Sequence, residues 1–87
     1  MNDNEILPGR QEQRELTFGE KACGVNFNPG GNPLVAEIKG SYAALVDNLH
    51  TLRMQTTSPD VARMLALAIT EAQTSQMWAV KAVTWQH

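Results

Sequence analysis

The last third of the chain, from Ser58-Pro59-Asp60 to Thr84-Trp85, reads as one helix with apolar side chains on more sides than a lone small domain can cover. Val61, Leu65, Ala68, Ala72, Ser75, Ala79 and Ala82 recur at spacings of 4 and 3, a narrow seam of mostly small residues that lets helices approach closely. A bulkier stripe of Met64, Leu67, Trp78 and Trp85 runs beside it, with Ile69, Met77, Val80 and Val83 on flanking positions. One core face needs an arc of about 100°. The surplus predicts that copies of the chain pack against one another.

Size points the same way. A chain of 87 residues makes one domain, and about 60 to 65% of the unfolded surface can be buried at this length, which leaves a single-chain core marginal. Seven Lys or Arg stand against nine Asp or Glu, a net charge of −2. The basic excess that non-specific duplex binding needs is missing, so duplex nucleic acid is not an expected partner. Cys23 is the single cysteine, which excludes an intrachain disulfide and suits a reducing cytosol. Residues 1–16 are polar and read as neither signal peptide nor anchor. Arg63, Glu71 and Lys81 interrupt the last helix, so no membrane span is expected there. The expectation is a soluble, intracellular protein.

Along the chain, residues 1–16 read as a mobile N-terminal arm with a Pro8-Gly9 turn signal and Ile6-Leu7 as its early apolar pair. Residues 17–87 form a single helical-hairpin domain. Thr17 is a good N-cap, Glu20 completes a capping box and Gly24 is a stop, which predicts a short helix near 18–24. Val25 to Pro33 is dense in turn residues, with Val25 and Phe27 read as pins to a core, so an ordered loop is expected. Asn32 then caps a helix with Pro33 in its first turn, and Val35, Ile38, Tyr42, Leu45, Leu49 and Leu52 follow at 3, 4, 3, 4, 3. Two long helices, 33–55 and 59–85, are separated only by Gln55 to Ser58, which forces an antiparallel hairpin. The arms would be about 33 and 40 Å long. The fold class is all-α, assembling as a homo-oligomer.

Catalytic chemistry finds no support. His50 is the one internal histidine and no Glu-x-x-His pair exists, so neither a metal centre nor a cofactor is expected. Cys23 has Lys21 nearby but no obvious histidine, and reads as a small buried hydrophobe. Asn28-Pro29-Gly30-Gly31 lacks the Gly-Lys-Ser/Thr ending of a P-loop. By pattern alone Lys39 is a solvated helix-face residue, Tyr42 a seam residue with its hydroxyl at the rim, and Phe18 either a hydrophobic staple or a stacking ring. Lys81 lies between Trp78 and Trp85 at helical spacing, which suits a cation held over an aromatic face.

Ala68-Ile69-Thr70-Glu71-Ala72-Gln73 followed by Gln76-Met77-Trp78-Ala79-Val80-Lys81-Ala82-Val83-Thr84-Trp85 resembles the closing helix of small phage proteins that share a helical hairpin, the anti-CBASS and anti-Thoeris sponges. Phe18-Gly19-Glu20-Lys21-Ala22, Phe27-Asn28-Pro29-Gly30-Gly31 and Val35 to Lys39 are similar to the anti-CBASS branch, and the likeness covers about residues 17 to 85. It implies a non-catalytic oligomer, hexameric in the family, that traps cyclic di- and trinucleotide immune messengers in the cytoplasm of an infected bacterium. It also implies a dinucleotide pocket between subunits, with Lys39 and Ser41 as the Lys and hydroxyl residue at the first long helix and Phe18 as the stacking ring. For a trinucleotide site the implied basic residue on the second long helix is Arg63.

The chemistry of such a ligand is compatible with this chain. A cyclic dinucleotide presents two phosphates and two base faces, and a two-fold site asks each subunit for one cation, one ring and one turn. Lys39, Phe18 and the loop with Asn28 and Gly30 could supply them beside a helix N-terminus that favours anions. A second reading is a small helical homo-oligomer that binds a host protein through its exposed aromatic stripe. A helix-turn-helix regulator is excluded by acidic charge and by helices too long for that motif.

Overall fold

The computed structural model describes residues 14–86, and among them every regular element is helical: α1 (Phe18–Cys23), α2 (Pro33–Gln55) and α3 (Pro59–Val83). The expected arm falls on residues outside the described ones up to position 13. Its last residues lead into α1, where Arg14 donates to both carboxylate oxygens of Glu20 at 2.9 and 2.8 Å.

Each helix begins where its capping chemistry dictates. Thr17 Oγ1 accepts from the Glu20 N–H, and Glu20 Oε1 accepts in return from the Thr17 N–H, which satisfies two end donors reciprocally. Gly24 ends α1 at φ 61°, the left-handed conformation that glycine adopts at no steric cost. Asn32 Oδ1 accepts from Leu34 N at 2.8 Å to open α2, and Ser58 Oγ accepts from Val61 N at 3.2 Å to open α3. Pro follows each of these two caps, so no first-turn donor is wasted.

The packed centre consists of Cys23, Ala43, Val46, Ile69 and Ala72, ringed by Ala22, Val25, Tyr42 and Leu49. α1 lies directly on the backbone of α2. The Gly19 N–H donates to Asp47 Oδ1 at 2.7 Å, and a Cβ at Gly19 would stand 2.1 Å from the Ala43 carbonyl oxygen. Only glycine permits that approach. Gln73 Nε2 donates to the Ala22 carbonyl at 3.1 Å and ties α3 to the end of α1. The Tyr42 and Ser75 hydroxyls bond to one another across the hairpin.

α1 lies against α2, and the expected seams of the two long helices are buried only in part. α2 has neighbours on two sides, so its buried positions are Val35, Lys39, Ala43 and Val46, while Leu45 and Leu52 of the expected heptad seam are about half exposed. In α3 the buried residues are Ile69, Ala72 and Gln76; Val61 and Ala82 of the small-residue seam are exposed, and Ser75, also exposed, reaches Tyr42 across the hairpin. Leu65, Ala68 and Ala79 keep half-buried places on the inner side. The last helix also stops at Val83 instead of continuing to 85. Thr84 turns its hydroxyl onto the Val80 carbonyl at 2.8 Å, a local bond that competes with another helical turn.

Candidate ligand groove

At the open end of the hairpin, the start of α2, the end of α3 and the α1–α2 loop enclose a groove of about 500 Å³. Its size is ordinary for a small-molecule site. The loop contributes Phe27, Asn28, Pro29 and Gly30, α2 contributes Val35 and Lys39, and the far wall is Val80, Val83 and Trp85. Asn28 shapes the loop by bracketing Asn32: Nδ2 donates to the Asn32 carbonyl at 3.0 Å, and Oδ1 accepts from the Asn32 N–H at 3.2 Å. The Gly31 N–H closes the turn on the Asn28 carbonyl at 2.9 Å, with Gly31 at φ 63°.

Lys39 forms the floor, and its position corrects the reading of a solvated face. It is only 7% exposed. Its ammonium donates to the Gly24 carbonyl at 3.0 Å and to the Phe27 carbonyl at 2.5 Å, and lies 5.4 Å from the centre of the Phe27 ring. An ammonium has three donors, and these carbonyls take two. Phe27 corrects its reading too: the residue is 71% exposed on the groove and pins nothing to the core. A buried ammonium tethering the loop does the pinning instead. Among the described residues no Asp or Glu lines the groove, and the N-terminus of α2 opens onto it, so its electrostatics suit an anion.

The other expected ligand residues stand elsewhere. Phe18 is stacked on His50, ring centres 3.9 Å apart and planes 4° from parallel, outside the groove. The His50 Nδ1 beneath that stack is buried without a hydrogen-bond partner among the described residues. Ser41 lines a separate hollow of about 240 Å³ with Tyr42 and Leu45. Arg63 is exposed on the first turns of α3, at the opposite end of the hairpin. The groove therefore unites Lys39, Asn28 and Gly30, and not Phe18, Ser41 or Arg63. Sequence reasoning missed Phe27 and Trp85 as its walls. An aromatic among Pro and Gly, with no apolar neighbour to bury it, was the available signal for Phe27; Trp85 had none.

Lys81 takes the place expected of it, its ammonium 5.3 Å from the Trp78 ring and 5.6 Å from the Trp85 ring. The Arg14 hydrogen bond, followed by the Thr17 N–H, lowers the Glu20 carboxyl from its ordinary value to about 2. Burial pushes the Cys23 thiol upward, and Asp47 adds to that, which keeps it protonated and unreactive near neutral pH. Among the described residues no group of three His, Cys, Asp or Glu could hold a metal ion, and no helix is long and apolar enough to cross a membrane.

These features define a class: a helical hairpin with a short capped lead-in helix laid on its first arm and an anion-suited groove at its open end. The family model of the Acb2/Tad1 hairpin domain matches residues 20–84. The chain belongs to that family, the anti-CBASS and anti-Thoeris sponges. No curated protein and no solved structure matches it.

Proposed function

We propose that this protein binds cyclic di- and trinucleotide immune messengers and holds them unchanged, a phage counter-defence sponge that acts in the cytoplasm of the infected bacterium. The observation that carries the reading is the groove at the open end of a hairpin of this family: a buried ammonium beneath an exposed ring, a helix N-terminus, and no carboxylate in the lining among the described residues. Lys39 meets a phosphate, and the loop through Asn28 and Gly30 frames it.

The working form in this reading is a homo-oligomer, a hexamer as in the family. Met64, Leu67, Met77 and Trp78 each leave more than half of their surface uncovered along α3, an apolar face that a further copy would bury. Phe18, Ser41 and Arg63 enter as residues that a second subunit would bring to the nucleotide.

Calorimetry against a panel of cyclic di- and trinucleotides tests the binding, with light scattering on the same sample for the assembly. Heating the complex and chromatographing the supernatant should return intact cyclic molecules. Linear products would refute sequestration, and a panel with no binder would refute the reading as a whole.

A further inference from the structure

α3 ends at Val83, yet Trp85, two residues beyond it, forms part of the far wall of the groove. A ring carried past the end of a helix stands on backbone that frays more readily than the ladder beneath Val80 and Val83. Two local contacts bear on its place. The Trp85 N–H donates to the Ala82 carbonyl at 3.4 Å, a long bond, and the Lys81 ammonium lies 5.6 Å from the centre of the Trp85 ring. The same ammonium lies 5.3 Å from the ring of Trp78, inside α3. Lys81 thus spans the helix end, with one indole on the regular helix and the other on the turn after it. It is itself exposed and lines no part of the groove.

We propose that Lys81 is a positioning residue of the groove: its ammonium, anchored over Trp78, holds Trp85 in the far wall without touching a bound molecule. The effect on affinity rests on the sponge reading, whereas the placement of Trp85 is a property of the free chain. Indole is the best aromatic face for a cation, so tryptophan on both sides of the ammonium suits this role. A guanidinium also stacks on an indole, and glutamine carries no charge, which makes arginine the conservative replacement and glutamine the disabling one. Exposed cation–π contacts are individually weak, so the wall should loosen without any loss of fold.

The chain has two tryptophans, so Trp78→Phe leaves Trp85 as the single emitter while keeping a ring beneath the ammonium. In that background, at matched protein concentration, Lys81→Gln should lower the steady-state anisotropy of Trp85 and raise its quenching by acrylamide. Helical circular dichroism should stay intact, and Lys81→Arg should restore both signals. Calorimetry with cyclic di-AMP, cyclic di-GMP and cyclic tri-AMP should show Lys81→Gln weaker by about 2- to 5-fold, the worth of one exposed cation–π contact. Losing a positive charge also weakens the attraction for an anion at a distance, and a double-mutant cycle with Trp85→Ala separates the two effects. The loss from Lys81→Gln should vanish once Trp85 is gone. An equal loss in both backgrounds overturns the positioning role, as does a Trp85 anisotropy or an affinity that Lys81→Gln leaves unchanged. A parent protein that binds none of the three nucleotides overturns the sponge reading, and the anisotropy then decides for or against Lys81 alone.

Discussion

Replacing Lys39 with methionine keeps most of the stem and removes the ammonium that joins α2 to the α1–α2 loop. Two hydrogen bonds from a charged donor are worth about 1.5–3 kcal/mol each, a ceiling of about 3–6 kcal/mol. Two effects reduce it. Burying an ammonium costs desolvation that methionine avoids, and Phe27, one of the two acceptor residues, lines a groove that water can enter. The expected loss is about 2–3 kcal/mol, out of about 4–13 kcal/mol for a chain of this size. Urea unfolding followed by far-UV circular dichroism, at matched protein concentration because self-association shifts apparent stability, reads it as a lower midpoint at unchanged slope. Thermal unfolding should fall by about 8–24 °C. A midpoint within error of the parent would mean that the ammonium is not a clamp.

Gly19→Ala places a methyl 2.1 Å from the Ala43 carbonyl oxygen and 2.9 Å from Asp47 Oδ1, so α1 must lift; hydrogen exchange should accelerate in residues 18–24, and protected amides there would contradict the contact. The lowered Glu20 carboxyl stabilises the start of α1 in its ionised form. That contribution is complete above the ordinary value of 4.5 and lost as pH falls toward about 2. An NMR titration of Glu20 near 4.5 would show that the Arg14 pair does not hold in solution. Cys23, 4% exposed with a raised thiol pKa, should resist iodoacetamide at neutral pH until denaturant is added, and prompt alkylation of the native protein would refute its burial.

The features legible in the sequence were those decided within a few residues. Thr17, Gly24, Asn32 with Pro33 and Ser58 with Pro59 each satisfy or terminate a helix end locally, and the hairpin follows from the short link between two periodic runs. The facing of the long helices was legible only in part, because α1 competes for α2 through a glycine contact 24 residues away in sequence, between Gly19 and Ala43. Lys39 shows the same limit. Its charge suggested solvent, yet carbonyls 15 and 12 residues earlier supply the partners that make burial tolerable. For the groove, Asn28, Gly30 and Lys39 could be named in advance, whereas its walls depend on where α3 ends.

The divided loyalty of the Lys39 ammonium has a thermodynamic consequence. The same charge that fastens Gly24 and Phe27 is the one a bound anion would draw upon, so loop order and ligand affinity are linked quantities, and linkage is reciprocal. A substitution that stiffens residues 24–32 without touching the groove would change the affinity for an anion, and the anion would change the exchange rates of those loop amides by the corresponding free energy. On the proposed reading, the loop amides would report occupancy of the groove.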